Sequence, residues 1–318
     1  MSQTLFDRKT VFLSALLFHL LFWFYYAVAV HQAAPLHQDM LEAYFWGQFP
    51  SLGYYKHPPF WAWVAGYWFT VFPVKNWAFV LLCSLNATLA LAGIWRVLSR
   101  FAEGMQRELA FLLLLFTSFY TFTAFQFNAN TIFLSLWPWT LVFFLNALER
   151  GVMRDSILFG VFGAFMLLSK YSAIFLLLAC LGAAFVHKRR HEYFRSYSPW
   201  LSIAVIVALC LPHLVWLFDH EFQPLTYVEG RLHNSFAFAL TKAGQFLVDL
   251  TLQHSLVIGF ILFALRSVEY SPIRSRLHRL RDADKHVVLV LAFAPSLLIL
   301  VSGLASSIKL SSLSLIHI

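Results

Sequence analysis

The chain alternates long apolar runs with short charged gaps, at a spacing that points to helices crossing a membrane. Apolar runs occupy about 10–30, 76–96, 109–126, 131–148, 156–169, 171–186, 199–218, 244–265 and 287–304, and several are long enough to cross ~30 Å of hydrocarbon. Each gap between them carries charge. One further stretch, 59–73, is apolar and aromatic but only fifteen residues long, with Pro at each end. A full crossing there would invert every later loop, so the pattern predicts an interfacial helix lying on the outer leaflet. A short helix over DMLEAYFWG (39–47) is predicted just before it. The first run exceeds the roughly 7–15-residue core of a cleavable signal and lacks a clear small-residue cleavage site, so it reads as a retained helix. The predicted fold class is all-α: a polytopic transmembrane helical bundle with interfacial helices in the first outer loop.

Composition agrees. The 318 residues are 60% hydrophobic and 12% charged, with mean hydropathy +0.70, against roughly 45–50% apolar and 25% charged in soluble domains. Secreted disulfide scaffolds, coiled coils, disordered chains and cytosolic enzymes are excluded. Aromatic residues reach 18%, usable where rings face lipid and headgroups. Cys83, Cys180 and Cys210 all sit in apolar runs and read as small hydrophobes.

A net charge of +8 would suggest nucleic acid in a soluble protein, but its placement tells otherwise. With a cytoplasmic N-terminus, seventeen of the 23 Lys and Arg fall on one side: Arg8 and Lys9, Arg96 to Arg107, Arg150 and Arg154, Lys188 to Arg195, and Arg266 to Lys285. That is the positive-inside rule. The basic balance reads as topology, with no nucleic-acid partner.

The opposite, outer side carries the candidate chemistry. Asp39 and Glu42, three residues apart, share one face of the predicted short helix. Carboxylates so near apolar surface are costly unless used or paired. One reading makes one of them a general base with a raised pKa; the other leaves them capping or solvated at the headgroups. Lys56-His57-Pro58-Pro59 follows Gly53-Tyr54-Tyr55 and brings two potential cations to the same interface, where a departing phosphate needs positive donors. Snorkelling is the plainer account of Lys56. Lys170 interrupts about thirty apolar residues, and an intramembrane Lys points to function; it is expected at the outer leaflet, where it and Lys56 could meet one phosphate. Asn128 and Asn130 offer sugar contacts, with a helix cap favoured for one of them. Arg231 offers a phosphate fork or a partner for Glu229. His31, His37, Asp39, Glu42 and His57 match no ligand spacing, so no metal ligands are assigned; no cofactor is certain, and a divalent metal stays open but without support. No P-loop, dinucleotide fingerprint, G-x-S-x-G or H-E-x-x-H occurs.

The order of these features, a first transmembrane helix, D-x-x-E followed by W-G, G-Y-Y-K-H-P-P and an aromatic interfacial helix, resembles the polyprenyl-phosphate-dependent glycosyltransferases of the GT-C type. It looks most like the bacterial branch of glycosyltransferase family 39, related to protein O-mannosyltransferases and the lipid A aminoarabinose transferase. F-N-A-N-T (127–131), L-S-K-Y-S-A (168–173) and P-H-L-V-W (212–216) fall in the same order, and the resemblance spans about residues 10–305. It implies Asp39 as catalytic carboxylate, Glu42 assisting, Lys56 or His57 near the leaving group and Lys170 on the carrier phosphate, with Tyr55, Asn128, Asn130 and Arg231 among the substrate contacts. Relatives often have adjacent acidic residues and a Lys directly before Pro, whereas here Asp39 and Glu42 are separated and His57 precedes Pro58. Which carboxylate is the base therefore stays open. The D-M-x-E and Y-K-H-P-P version is most similar to galacturonosyl transferases that modify lipopolysaccharide.

The resemblance also implies a longer protein: residues 1–308 are expected to form an incomplete catalytic module, and 309–318, within KLSSLSLIHI, a non-native tail. The chain is expected to be a multi-pass glycosyltransferase of the bacterial inner membrane. It would move a sugar from a polyprenyl-phosphate donor to lipid A, lipopolysaccharide core or protein on the periplasmic side. A transporter or lipid flippase is the alternative, kept open by Asp249 in FLVDLTLQH, and a non-catalytic assembly subunit is a third.

Overall fold

The structure is a computed structural model that describes residues 8–31, 36–229, 236–255, 258–259 and 282–306. Arg231 and residues 309–318 lie outside the described residues. Every regular element described is helical, as the apolar pattern predicts. In chain order the helices are α1 (Arg8–His31), α2 (Gln38–Gln48), α3 (Phe60–Val71), α4 (Asn76–Phe101), α5 (Met105–Leu115), α6 (Phe133–Arg150), α7 (Met153–Leu167), α8 (Ile174–Val186), α9 (Arg190–Arg195), α10 (Ser198–Asp219), α11 (Gln223–Glu229), α12 (Phe236–Gln253) and α13 (Asp282–Ser306).

Four of these contain segments long and apolar enough to cross a membrane: Lys9–Val30, Asn76–Phe101, Ser198–Asp219 and Lys285–Leu304. Their outer faces expose large apolar side chains, among them Phe18, Tyr25 and Phe218. In water such faces would aggregate; against lipid they are ordinary. The chain is a multi-pass membrane protein.

Two predicted runs differ in detail. The run at 109–126 is a broken helix, bent by 62° between Gln106–Leu115 and Ser118–Phe125. Hydroxyls explain the break: Thr117 Oγ1 donates to the Leu114 carbonyl (2.9 Å) and Thr121 Oγ1 to that of Thr117 (3.0 Å). Such back-bonding competes with the helical ladder and bends it. The run at 244–265 is helical to Gln253 in α12, and its remainder lies largely outside the described residues. Between the long helices, α7 and α8 have 15 and 13 residues, about 22 and 20 Å at 1.5 Å per residue, and α8 keeps an exposed apolar side with Leu181 and Phe185.

α4 packs against α1, α5 and α6; α7 lies between α6 and α10; α8 packs on α13. Small residues set the tightest approaches, as expected where no hydrophobic effect drives helices together. Ser156 and Ser198 hydroxyls meet at 2.6 Å, and Ser202 Oγ donates to the Ser156 carbonyl at 2.8 Å. The predicted short helix and interfacial helix both form, as α2 and α3, and they cross at Gly47 and Gly66. A Cβ on Gly66 would lie 2.3 Å from the Gly47 carbonyl oxygen, so only glycine fits there. At the far end of α6, Gly151 adopts a left-handed φ of 61°, and the chain returns into α7.

These connections sort the charges. α6 begins beside the turn carrying Asn128 and Asn130 and ends at Arg150, while α7 begins beside Arg154 and ends just before Lys170. One end of the bundle therefore carries Arg150 and Arg154, and the other Asn128, Asn130 and Lys170. Cys83, Cys180 and Cys210 are buried free thiols.

Candidate active site

The site is assembled from four chain segments at one end of the bundle. α2 supplies the carboxylates. His37 caps it, Nδ1 accepting the Asp39 N–H at 3.2 Å, which puts Asp39 in its first turn, where a negative charge suits the helix dipole.

Ahead of α6 the chain makes a tight turn. Asn128 Oδ1 accepts the N–H groups of Asn130 (2.8 Å) and Thr131 (2.9 Å), and Thr131 Oγ1 accepts the Asn128 N–H (2.9 Å). Asn128 thus caps the turn leading into α6, while the residue at the helix N-cap is Ile132, which has no side-chain bond to offer. The turn is anchored from α4, where Asn86 Nδ2 donates to the Thr131 carbonyl at 2.6 Å and Ser135 Oγ donates to Asn86 Oδ1.

With its carbonyl oxygen committed to the turn, Asn128 turns its amide outward, and Nδ2 donates to Asp39 Oδ2 at 3.1 Å. Two residues on, Asn130 Oδ1 accepts from Lys170 Nζ. One turn therefore bridges the Asp39 carboxylate and the Lys170 amine. Lys170 lies in the turn between α7 and α8. Burial pushes its amine down to about 8, with the Asp39 charge pulling the other way. It remains mostly cationic at neutral pH, close to losing its proton.

Glu42 turns elsewhere. Its Oε1 pairs with Lys56 Nζ at 2.8 Å, with the two side chains 17% and 20% exposed, whereas Asp39 is 39% exposed. Burial alone would lower the Lys56 amine, but the hydrogen bond and charge of Glu42, helped by Tyr55 and Tyr227, outweigh it and raise the pKa. The ammonium also lies 5.8 Å from the Trp46 ring and 6.0 Å from that of Tyr55, within cation–π range. The two carboxylates thus differ in what spacing could not show: Glu42 is tied into an ion pair, and Asp39 is open on one side. The two lysines likewise take different partners, Lys56 on Glu42 and Lys170 on Asn130.

The loop between α2 and α3 is held by aromatic packing. Trp46 stacks on Tyr54 at 4.5 Å, and Tyr54 Oη donates to the Trp46 carbonyl at 2.7 Å. The His57 carbonyl accepts the Tyr54 N–H at 3.1 Å, and the His57 ring meets Trp61 edge-on at 5.9 Å. Pro58 and Pro59 are buried. The Phe60 N–H then donates to the Leu168 carbonyl at 2.8 Å, with Phe60 stacked on Phe165 at 4.2 Å, which fixes the loop to the Lys170 turn.

A further pair escaped the sequence reading. His213, buried inside α10, has Nδ1 at 2.6 Å from the Leu52 carbonyl and Nε2 at 3.0 Å from Tyr171 Oη. It joins the first loop to the residue after Lys170. Gly53 packs so closely on Trp216 that a Cβ would come within 2.2 Å of the ring. The clue lay in P-H-L-V-W, a His inside an apolar run. Among the described residues no group of three His, Cys, Asp or Glu converges to hold a metal ion. Asp249 is half-buried on α12.

Residues 56–216, half of the chain, match the family described as dolichyl-phosphate-mannose-protein mannosyltransferase. The match takes in Lys56, His57, Asn128, Asn130, Lys170 and His213; Asp39 and Glu42 precede it but bond to residues within it. No curated protein and no solved structure matches the chain. The chain belongs to the dolichyl-phosphate-mannose-protein mannosyltransferase family and is a membrane glycosyltransferase of the GT-C type.

Proposed function

We propose that the chain transfers a sugar from a polyprenyl-phosphate carrier to a cell-envelope acceptor, lipid A, lipopolysaccharide core or protein, on the periplasmic face of a bacterial inner membrane. The N-terminus is then cytoplasmic. In favour of that orientation, Lys9, Arg96, Arg150 and Arg154 gather at the end of the bundle opposite Asp39, as positive-inside topology requires.

The observation that carries the proposal is the bridge from Asp39 through Asn128 and Asn130 to Lys170. Glycosyl transfer from a lipid phosphate needs two opposed groups: a base for the acceptor hydroxyl and a cation for the departing phosphate. In the proposed step the acceptor oxygen attacks the anomeric carbon on the face away from phosphate, and its proton passes to an Asp39 oxygen. The bond from the anomeric carbon to the phosphate oxygen breaks, its electron pair stays on the phosphate, and the configuration inverts. Lys170 stabilises the charge that develops, and Asn128 holds the carboxylate in line. Glu42 keeps Lys56 charged, with Tyr55 and His57 on the same loop.

The test is sugar transfer from a polyprenyl-phosphate donor by purified chain. Asp39→Asn retains an oxygen for Asn128 and should fold normally while losing about 10²–10⁴ in turnover. Turnover near wild type would remove Asp39 from the mechanism.

A further inference from the structure

At the basic end of the bundle a cavity of about 1140 Å³ opens between α1, α4 and α6, closed by Arg107 of α5 and the start of α7. It is remote from Asp39 and Lys170: the 18 residues of α6 separate the two regions by about 27 Å.

Six cations line it, Lys9, Arg96, Arg100, Arg107, Arg150 and Arg154, with Asp155 the one carboxylate in its wall. Arg100 is already engaged by Glu149 and Asn146, and Asp155 takes the Asn146 amide at 3.3 Å. Arg107 lies over the Trp95 ring at 4.3 Å, and its buried Nε has no partner among the described residues. Lys9, Arg96, Arg150 and Arg154 form no ion pair among the described residues. Positive-inside topology accounts for basic residues in loops at this end, but not for cations from five helices around one concavity. Like charges so placed repel, Arg96 and Arg100 on successive turns most directly, and an anion between them would relieve this.

The other wall is apolar and aromatic, formed by Phe12, Leu13, Trp139, Val142 and Phe143. It is continuous with α1, whose Leu17 and Phe18 are exposed on the outer face of the bundle. The volume exceeds the ~300–1,000 Å³ that holds a drug-sized ligand, far more than a free inorganic anion fills. We propose that this cavity binds an anionic glycerophospholipid of the adjacent leaflet, its phosphate among Arg96, Arg107, Arg150 and Arg154 and its acyl stem along Phe12 and Trp139. Basic pockets between transmembrane helices take such headgroups generally. Bound there, the lipid ties α1 to α4 and α6, independently of the roles of Asp39 and Lys170.

The test uses the purified, delipidated chain in neutral detergent, with native mass spectrometry and thermal unfolding as readouts. Phosphatidylglycerol should be retained and should raise the unfolding temperature, and phosphatidylcholine should do neither. The double variant Arg96→Gln/Arg150→Gln should bind phosphatidylglycerol about thirtyfold more weakly, from the contribution of each cation near an anionic lipid. Arg96→Lys/Arg150→Lys should retain most of the binding. Equal binding by the Gln variant, or equal retention of phosphatidylcholine, overturns the proposal. So does inorganic phosphate that displaces the lipid mole for mole, which would mark a solute site. Should the Gln variant fail to fold, salt decides on the wild type: retention must fall as ionic strength rises, and salt-independent retention refutes the site.

Discussion

Lys170 offers a sharp quantitative test of the candidate site. Its amine is lowered to about 8, first by burial and with Asp39 partly opposing. Only the protonated form attracts a phosphate, and a lipid phosphodiester keeps one negative charge across pH 7–10, so the lysine alone sets the pH dependence of donor binding. Below about pH 8 the amine is mostly charged and affinity should be flat. Above it the charged fraction, and with it affinity, falls about tenfold per pH unit. Between pH 7 and 9.5 the donor Kd should therefore rise about thirtyfold. The assay is equilibrium binding of a polyprenyl-phosphate donor to purified chain in detergent at half-unit pH steps. Lys170→Arg, always charged, should bind at neutral pH and remove the break near pH 8, while Lys170→Met should bind weakly and evenly throughout. A wild-type Kd constant up to pH 9.5, or the same break in Lys170→Arg, would refute the assignment of Lys170 to the donor phosphate.

Other outcomes follow from neighbouring contacts. Glu42→Gln leaves the Lys56 ammonium without its carboxylate in a mostly buried setting and should cost about 2 kcal/mol of stability; thermal unfolding reads this, and adding Lys56→Met should recover much of the loss. Gly66→Ala drives a methyl against the Gly47 carbonyl and should destabilise the chain by about 1–3 kcal/mol, lowering the unfolding temperature; no change would mean that α2 and α3 do not approach as described. Tyr171→Phe removes the hydroxyl at His213 Nε2, and by loosening the Leu52 loop should raise the KM for donor more than it lowers kcat; an effect on kcat alone would point instead to direct contact with the reacting atoms.

The fold was legible where it depends on local properties. Apolar runs announce membrane helices because hydropathy sums residue by residue, and α3 followed from a short aromatic stretch bounded by prolines. The bend after Leu115 was not legible, because Thr117 and Thr121 reach back to carbonyls inside what looks like one continuous run. In the site, residue types were readable but pairings were not. Asp39 finds its partner 89 residues along the chain, and Lys170 finds Asn130 40 residues back. Asp39 and Glu42, alike in sequence, part company because α2 presents one to the Asn128 turn and the other to Lys56. His213 was passed over because a histidine in an apolar helix gives no sign of two polar partners arriving from other segments.

The turn from Asn128 to Thr131 has one more consequence. Because Asn128 and Asn130 are two residues apart in a single hydrogen-bonded turn, the Asp39 carboxylate and the Lys170 amine are joined by one short stretch of backbone and two side-chain hydrogen bonds. A helix that tilts or slides as a bilayer thins or thickens must break one of those bonds before it changes the spacing of the site, so the turn acts as a brace against the membrane that surrounds it.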